Sequence, residues 1–589
     1  MKYCCNPINF EYMYQFNKQP DGRITASRES ADPSMILFRG RYYIYPSMTC
    51  GFLYSDDMAE WKFHPLKELP VYDYAPDVRV VGEYIYFCAS NHEQGVHYRT
   101  RDPFSDEYEK IDGQFPFWDP NLFADDDGRL YFYWGSSTTE PLYGIELDAV
   151  TLKPVGDRKE LFYGDDTVKG FERKGENHIP ERTQEEKEEI LKQMDLQDMP
   201  ASMAEAARAF VLGLPYIEGA WMNKHNGRYY LQYGTPGSGF NIYGDGVYVS
   251  ENPLGPFQLA KNNPFSYKPG GFLPGAGHGS SMEDCDGDLW HIATMRICTN
   301  HNFERRIGLW PAGWDSDGEM FCNQRYGDWP YAIERVKADP WAEPEWMLLS
   351  YGKIVRASSS ADGKQAENIT DEDVRTCWKA ATSSAGEWVE IDLESSYDVR
   401  AVQVNFADDN LTPELPEGIQ LCGALHQERW IDEKHQPTRW KLEGSADGEE
   451  YFIIQDKSDT DTDLPHDLVV LEEGIQVRYL RLTVESLPYG QAACVSGLRV
   501  FGLGNGPRPV KVSDVNTVHS GDLDLYINWR GNAVGYVVEW GYTPEKLYHS
   551  YQVFTDSVHI GGLVKGQEVY VRIDSFNESG ITVGEIVRV

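Results

Sequence analysis

Short hydrophobic runs rich in Tyr, Trp and Ile recur along the first half of the chain, each after a turn that ends in Gly. The run at 41–47 reads RYYIYPS, and the run at 129–134 reads RLYFYW. A Gly turn before aromatic and β-branched residues indicates a β-hairpin, because Gly tolerates the positive φ of a tight turn. We therefore predict antiparallel strands over this part of the chain.

The turn glycines are spaced as in a repeat architecture. Their separations are 42, 46, 99 and 60 residues, for Gly40, Gly82, Gly128, Gly227 and Gly287 in turn. A four-stranded propeller blade takes about 40–50 residues, and the one long interval contains helix-forming residues at about 165–212. We predict an all-β fold, with a five-bladed β-propeller over residues 1–345 that carries a helical insertion, followed by two β-sandwich domains.

An ionisable side chain precedes each of these glycines by five to nine residues. The set consists of Asp32, Asp77, Asp119, Glu218 and His278. Equivalent positions on successive blades face one central channel, so these side chains are expected to lie close together. A turn-capping carboxylate is the ordinary alternative for any one of them, but the complete set favours a shared cleft.

Crowded carboxylates cannot all ionise freely, so the pKa of at least one of them should rise. A carboxyl group that stays protonated beside one that ionises is the arrangement that glycoside hydrolysis requires, with one acid and one base. Trp118 and Trp221 stand close to these carboxylates in the sequence. They either offer flat surfaces to a sugar ring or pack between blades, and the sequence favours neither.

The charge of the chain limits its partners. It has 54 basic and 93 acidic residues, which gives a formal net charge of −39. Such a polyanion is repelled by phosphate backbones and anionic lipid surfaces, so we expect neither nucleic acid nor a membrane as partner. The chain has no run of 18 or more apolar residues, so the sequence predicts no transmembrane helix. The total charge says little about the substrate, which the glycosidase interpretation predicts to be a neutral sugar.

The cysteines indicate the compartment. The ten cysteines are scattered without a CxxC pair, and the adjacent Cys4 and Cys5 are poorly placed to bond each other. A reduced thiol population predicts a cytoplasmic protein, or a secreted one if a leader segment has been removed.

Five quoted motifs together resemble glycoside hydrolase family 43: ADPSMILFRGRYYIYPS, YAPDVRVVGEYIYFCAS, WDPNLFADDDGRLYFYWGS, IEGAWMNKHNGRYYLQYG and GHGSSMEDCDGDLWHI. The resemblance implies an inverting mechanism with Asp32 as general base, Glu218 as general acid and Asp119 as the group that tunes the acid. It implies that His278 lies near the propeller axis, beside a calcium ion in many relatives. Arg306, or its neighbour Arg305, corresponds to an arginine that reaches the substrate.

Two departures from the family pattern concern the substrate. Gly-Ala-Trp follows Glu218 where many relatives have Pro and then His or Tyr, and the helical insertion directly precedes the strand that carries this acid. We interpret the insertion as a surface elaboration or an oligomer contact in preference to a lid. The predicted activity is that of an exo-glycosidase on β-D-xylosides or α-L-arabinofuranosides. The alternatives are a galactoside or galactofuranoside substrate, or a glycan-binding propeller without catalysis.

The last third of the chain has a different pattern. Residues 346–503 resemble the discoidin, or coagulation factor type C, β-sandwich, and residues 508–589 resemble a fibronectin type III domain. The resemblance leaves open whether the discoidin-like domain binds glycan or is a spacer.

Overall fold

The computed structural model describes residues 1–19, 21–67, 69, 74–90, 95–113, 115–175, 182–194, 196, 197, 199, 201–417 and 429–589. Strands dominate these residues, as the aromatic and β-branched runs predict. Their α-helices are Gln184–Gln193, Ala201–Leu212 and Ile333–Ala338, and their 3₁₀ turns are Pro103–Ser105, Gly170–Glu172, Gln324–Gly327, Ala366–Ile369 and Pro488–Gly490. None of the described helices combines the length and the apolar character that crossing a bilayer requires.

Five antiparallel sheets follow one another along the first 345 residues, which we call the N-terminal unit. Sheet I contains Ala31–Phe38, Arg41–Ser47, Gly51–Ser55 and Lys62–Pro65. Sheet II contains Asp77–Val81, Tyr84–Cys88, Val96–Thr100 and Glu109–Asp112. Sheet III contains Asn121–Ala124, Leu130–Trp134, Leu142–Leu147 and Pro154–Phe162. Sheet IV contains Glu218–His225, Arg228–Thr235, Gly244–Ser250, Gln258–Leu259 and Ser266–Tyr267, and sheet V contains Gly277–Glu283, Leu289–Arg296, Arg305–Trp314 and Met320–Cys322.

The first strand of each sheet lies against the first strand of the next sheet. Contacts run from sheet I to sheet II and so on to sheet V, whose first strand in turn lies against that of sheet I. The turn glycines that mark these hairpins have positive φ, for example +84° at Gly128 and +77° at Gly227. The sequence repeat therefore places five equivalent first strands side by side, with their starting residues near one another.

Three of these first strands begin with an irregularity in their pairing. The register shifts between Ala31 and Ser34 in sheet I, between Glu218 and Trp221 in sheet IV, and between Gly277 and Ser280 in sheet V. A β-bulge changes the direction of the side chains beside it and is common next to active sites. The bulges therefore change the direction in which the predicted acidic and histidine side chains point.

The discoidin-like region forms one large sheet with short additional strands. Its strands are Met347–Leu348, Ile354–Ala357, Trp378–Lys379, Glu387–Phe406, Arg439–Ser445, Phe452–Asp456, His466–Ser486 and Cys494–Leu503. Its core is apolar and centres on the buried Trp378 and Trp440. Part of the long segment at 407–437 that interrupts this region, residues 418–428, lies outside the described residues.

The last region has two sheets. One contains Ser513–His519, Leu525–Arg530 and Ser557–Ile560, and the other contains Gly535–Gly541, His549–Val553, Tyr570–Asn577, Gly580–Thr582 and Ile586–Arg588. The buried Trp529 and Trp540 belong to a core shared with residues of sheets III and IV. This region therefore packs directly on the N-terminal unit.

The three regions are tied together more closely than the sequence boundaries suggest. A hairpin of the N-terminal unit, Met13–Lys18 and Ile24–Glu29, is extended by Arg429–Asp432 from the discoidin-like region. Arg28 of that hairpin forms buried ion pairs with Asp408 at 2.6 Å and Asp463 at 2.7 Å. Removing one partner of a buried pair leaves an uncompensated charge and typically costs about 3–5 kcal/mol. The discoidin-like region therefore buttresses the N-terminal unit.

Candidate active site

A cavity of about 560 Å³ opens where the first strands of the sheets begin. Asp32, Asp119, Glu218 and His278, which come from sheets I, III, IV and V and their adjoining loops, all line it. Asp32, Asp119 and His278 have φ values of +47°, +49° and +47°, a region that residues other than Gly rarely adopt. Strained backbone of this kind clusters at functional sites because the surrounding structure holds it in place.

Asp32 lies in a positively charged environment. Arg305 Nη1 is 3.2 Å from Asp32 Oδ1, the Ser47 hydroxyl donates to Oδ2 at 2.8 Å, and His278 Nδ1 is 3.5 Å from Oδ1. Burial opposes ionisation of this carboxyl, but the charges of Arg305 and His278 outweigh it and lower its pKa below the ordinary value. Asp32 is therefore ionised at neutral pH and can accept a proton.

Glu218 lies in the opposite kind of environment. The Tyr243 hydroxyl donates to its Oε1 at 2.6 Å, and Tyr216 lies beside it in the cavity wall. Burial, followed by the negative charge of Asp119, raises the pKa of Glu218 to about 7, although His278 and the Tyr243 hydrogen bond oppose the shift. A carboxyl with this pKa still carries its proton in a large fraction of molecules near neutral pH and can donate it.

Asp119 and His278 lie between these two carboxyls. His278 Nδ1 is 3.9 Å from Asp119 Oδ2, and the Asp119 amide donates to the Ser90 hydroxyl at 2.9 Å. Burial and then the charge of Asp32 raise the pKa of Asp119, whereas His278 lowers it. Burial alone would lower the pKa of His278, but the surrounding carboxylates raise it above its ordinary value. Through its charge, His278 therefore affects the pKa values of both Asp32 and Glu218, and Asp119 affects that of Glu218.

Gly219 explains one of the departures from the family pattern. Its φ is +60°, and a Cβ added there would come within 2.6 Å of the His278 ring. Any larger residue would displace the imidazole or the strand. The Gly that follows Glu218 is therefore required by the position of His278.

The buried Asp245 supports the backbone at His278. Its Oδ2 accepts a hydrogen bond from the Gly279 amide at 2.9 Å, and burial raises its pKa to about 8. The residue lies inside the protein beneath the bulge of sheet V and holds that bulge in place. Its role was not apparent from the sequence because it lies on the third strand of sheet IV.

The two adjacent arginines point in different directions. Arg305 lines the cavity and bonds Glu29 Oε1 at 2.6 Å in addition to Asp32. Arg306 instead donates to His466 of the discoidin-like region at 2.7 Å and is fully buried in that interface. The structure therefore corrects the prediction for Arg306: the arginine at the site is Arg305, because successive residues of a strand face opposite sides.

Two other predicted substrate contacts lie away from the cavity. Asp77 is buried between sheets II and III, where it accepts hydrogen bonds from the Asn121 side chain at 2.8 Å and the Leu122 amide at 2.7 Å. Trp221 is also buried; its indole donates to the Ser281 carbonyl at 3.0 Å, and the Arg79 guanidinium lies 3.5 Å from its ring centroid. The prediction that Asp77 and Trp221 contact the substrate is therefore corrected: both residues have structural roles.

Trp118, by contrast, lines the cavity together with Asp119. Its indole is partly exposed there, so it presents a flat apolar surface beside the carboxyls. Tyr243 and Ser136 were not predicted, because Tyr243 lies in a loop outside the repeated motifs and Ser136 is a single hydroxyl at the end of one of them. The hydroxyls of Ser136 and Tyr216 bond each other at the cavity wall.

Asp119, Glu218 and His278 each offer a ligand atom within 4.8 Å of the others. Calcium takes six to eight oxygen ligands, whereas this set contains an imidazole nitrogen and two carboxyls that the acid chemistry requires. The surroundings of His278 therefore do not fit a calcium ion bound directly by these side chains.

The helical insertion forms one wall of the cavity. Lys187 of helix Gln184–Gln193 and Phe210 and Val211 of helix Ala201–Leu212 line it, as does Gly213. The first helix begins with a capping box in which Thr183 and Glu186 bond each other's backbone, so its start is fixed. The interpretation of the insertion as a surface elaboration is therefore corrected, because it contributes directly to the pocket.

The cavity holds an ionised carboxylate, Asp32, and a protonated carboxyl, Glu218, on separate strands. Trp118 adds an aromatic surface to the same cavity. Such a pair of carboxyls can activate a water molecule and protonate a leaving oxygen.

Comparison with known proteins agrees with this chemistry. Residues 24–182 and 177–320 match the family described as glycosyl hydrolases family 43, and residues 354–496 match the F5/8 type C domain. Both matches confirm the corresponding sequence predictions. The chain is 26% identical to a beta-xylosidase of Xylanibacter ruminicola over 277 residues, covering 38% of this chain and 77% of the relative.

Two further similarities extend this comparison. The chain is 24% identical to a beta-D-galactofuranosidase of Aspergillus niger over 308 residues, covering 46% of this chain and 74% of the relative. A solved structure titled glycoside hydrolase has 15% identity and a TM-score of 0.42, covering 80% of this chain and 97% of its own.

Proposed function

The chain belongs to glycosyl hydrolases family 43, and from this membership we propose an inverting exo-glycosidase with Asp32 as general base and Glu218 as general acid. The observation that carries the proposal is the opposite pKa shift of these two carboxyls within one cavity, lowered for Asp32 and raised to about 7 for Glu218. Two such environments assign one base and one acid.

The reaction is a single displacement. Asp32 accepts a proton from a water molecule as the water oxygen attacks the anomeric carbon, and Glu218 gives its proton to the glycosidic oxygen as the bond to that carbon breaks. The sugar is released with inverted configuration. Asp119 keeps the pKa of Glu218 high through its charge, and Arg305 keeps Asp32 ionised.

The arrangement of the sheets supports exo action. We infer that the five sheets are the blades of a propeller, since their first strands contact one another in a closed order, and that residues 508–589 form a fibronectin type III-like domain. A cavity that lies where the first strands begin and is walled by the insertion on one side suits a chain end. The proposed leaving unit is therefore one terminal sugar.

The substrate class we propose is a β-D-xyloside or an α-L-arabinofuranoside, supported by the similarity to a beta-xylosidase and to a relative named xylosidase/arabinosidase from Bacteroides ovatus. A galactofuranoside is the second candidate, supported by the similarity to a beta-D-galactofuranosidase. The two classes differ in ring size and in the hydroxyls that the cavity must accept.

A panel of nitrophenyl β-D-xyloside, α-L-arabinofuranoside and β-D-galactofuranoside distinguishes them, with the anomer of the released sugar followed by NMR. The proposal predicts turnover of a pentoside with inversion, and a loss of about 10²–10⁴-fold in the rate of Glu218→Ala on an alkyl pentoside, whose leaving oxygen needs a proton. Net retention of configuration, or full activity of the variant, would contradict the proposed roles. Turnover of the galactofuranoside alone would select the second candidate.

A further inference from the structure

We propose that the helical insertion forms a second sugar subsite beside the catalytic pocket, selective for a sugar residue that carries a carboxylate. We call it the insertion subsite and define it by Lys174, Arg182, Lys187 and Phe210, all of which line the cavity. The inference rests on the proposed function, since it concerns the part of the substrate next to the sugar that is released.

The charges on this wall differ from those of the chain as a whole. Although the net charge is −39, the insertion and the segment before it bring three cationic side chains to the cavity. Helix Gln184–Gln193 contains four glutamates and two lysines, yet among the described lining residues it contributes Lys187 and none of its glutamates. The helix is therefore turned so that positive charge faces the cavity.

Two of these cations are positioned by the end of the second helix. Lys174 Nζ donates to the Phe210 carbonyl at 2.9 Å, and Lys187 Nζ donates to the Leu212 carbonyl at 3.4 Å. Cations are favourable at a helix C-terminus. The third cation, Arg182, also lines the cavity, and a guanidinium can bond a carboxylate through two N–H groups.

Phe210 supplies an apolar surface at the same place. Its side chain is 47% exposed, and Lys174 Nζ lies 3.9 Å from its ring centroid. An exposed aromatic ring with cations around it suits a ligand that has both a flat apolar face and a negative charge. A uronic acid has both features.

The catalytic carboxyls and the insertion subsite therefore select different sugars. The inner end contains Asp32, Asp119 and Glu218 and would repel a carboxylate, so the terminal sugar is neutral. The cations of the insertion subsite attract a carboxylate. Cavities of about 300–1,000 Å³ bury ligands of drug size, and this cavity of about 560 Å³ therefore accepts a terminal sugar together with its neighbour.

Equilibrium binding separates this inference from turnover. The Glu218→Gln variant is titrated with xylobiose and with the matched disaccharide in which glucuronic acid replaces the xylose next to the terminal residue. We expect the acidic ligand to bind on the order of three- to tenfold more tightly at low salt, because each partly exposed ion pair contributes about 0.2–1 kcal/mol. The preference should fall as salt is added.

Adding Arg182→Gln and Lys187→Gln to that variant should remove most of the preference. Lys192→Gln is the matched control, since Lys192 lies on the same helix but does not line the cavity, and it should leave the preference unchanged. A preference that survives the double substitution, or is lost equally in the control, would overturn the assignment.

The two proposals fail in different ways. Equal affinity for the two ligands, or binding of neither, overturns the insertion subsite, while hydrolysis of the neutral xyloside by the wild-type protein still supports the proposed function. Conversely, a salt-sensitive preference for the acidic ligand supports the subsite even if the wild-type protein hydrolyses neither pentoside.

Discussion

The two ends of the cavity, one around Asp32 and one around Glu218, place the same kind of functional group in opposite surroundings. At the first end Arg305, His278 and the Ser47 hydroxyl face the carboxyl. At the second, the carboxyl meets Tyr243 and the negative charge of Asp119. Asp32 is buried and Glu218 is partly buried, and burial raises the pKa of both carboxyls, so burial alone cannot assign their roles. The neighbouring charges decide which carboxyl is the base and which is the acid.

The largest expected effect comes from removing either carboxylate while keeping its shape. Asp32→Asn and Glu218→Gln should each lower kcat about 10²–10⁴-fold, because each variant loses one proton transfer of the same step. Steady-state rates on an alkyl glycoside of the preferred sugar provide the measurement, because its departing oxygen needs the proton of Glu218. Asp77→Asn is the control, since Asp77 is equally buried but lies between sheets II and III. Its kcat should be close to that of the wild-type protein in the folded fraction.

The next effect tests how His278 is held between the two ends. Gly219→Ala places a Cβ 2.6 Å from the imidazole at a φ of +60°, so the ring must move. A displacement of about 1 Å near reacting groups can cost on the order of 10²-fold in rate.

Gly227→Ala is its matched control, because Gly227 has a φ of +77° and nothing within 4 Å of an added Cβ. It should cost stability by a similar amount without lowering kcat. Equal kcat losses in both variants, with melting temperatures measured alongside, would show that backbone strain and not the contact with His278 is responsible.

A smaller change should appear in the acidic limb of the pH profile. The limb reports Asp32, whose pKa is lowered by Arg305 against the opposing effect of burial. In Arg305→Met burial is no longer offset by this charge, so the pKa rises and activity should be lost at a higher pH as the solution is acidified. The profile of kcat/KM is the measurement.

The contribution of Asp32 to stability should move in the same direction. A depressed pKa in the folded state stabilises the protein above the unfolded pKa, and this stabilisation is lost as pH falls through the folded value. Arg306→Met, on the neighbouring residue that faces His466, should leave the acidic limb in place. A limb that does not move in Arg305→Met would refute the role of this charge.

The smallest expected effect is in the alkaline limb. Tyr243 donates to Glu218 at 2.6 Å and thereby lowers its pKa. Tyr243→Phe removes this hydrogen bond to the ionised form, so the pKa of Glu218 should rise from about 7 and the alkaline limb should move to higher pH. A shift to lower pH would mean that the hydroxyl bonds the protonated form.

The sequence predicted the elements and the acidic set because both depend on local features. Hairpin turns and aromatic runs repeat with the sheets of the N-terminal unit, and the residues before most of the turns fall at similar positions. Asp32, Asp119, Glu218 and His278 accordingly meet in one cavity. Asp77 precedes its glycine by only five residues, whereas the others precede theirs by eight or nine, and its carboxylate bonds the Leu122 amide inside the protein.

What the sequence could not predict depends on the local register and on packing. Adjacent side chains of a strand face opposite sides, so Arg305 and Arg306 point in different directions. Because a shift of one residue in register would exchange their faces, the sequence could not assign which arginine faces the cavity. Trp221 is buried in the core, where the Arg79 guanidinium stacks on its ring. The insertion reaches the cavity through contacts between segments far apart in the chain, such as the Thr138 hydroxyl bonded to the Ala206 carbonyl, and no periodic pattern records such contacts.

The division of roles between Asp32 and Glu218 is tested most directly by varying the leaving group. The rates of Asp32→Ala and Glu218→Ala are compared on an alkyl glycoside, whose departing oxygen needs a proton, and on a dinitrophenyl glycoside, which departs without one. The account predicts that Glu218→Ala loses the alkyl glycoside but retains most activity on the dinitrophenyl glycoside, whereas Asp32→Ala loses both. Retention of the dinitrophenyl glycoside by Asp32→Ala and its loss by Glu218→Ala would contradict the assignment.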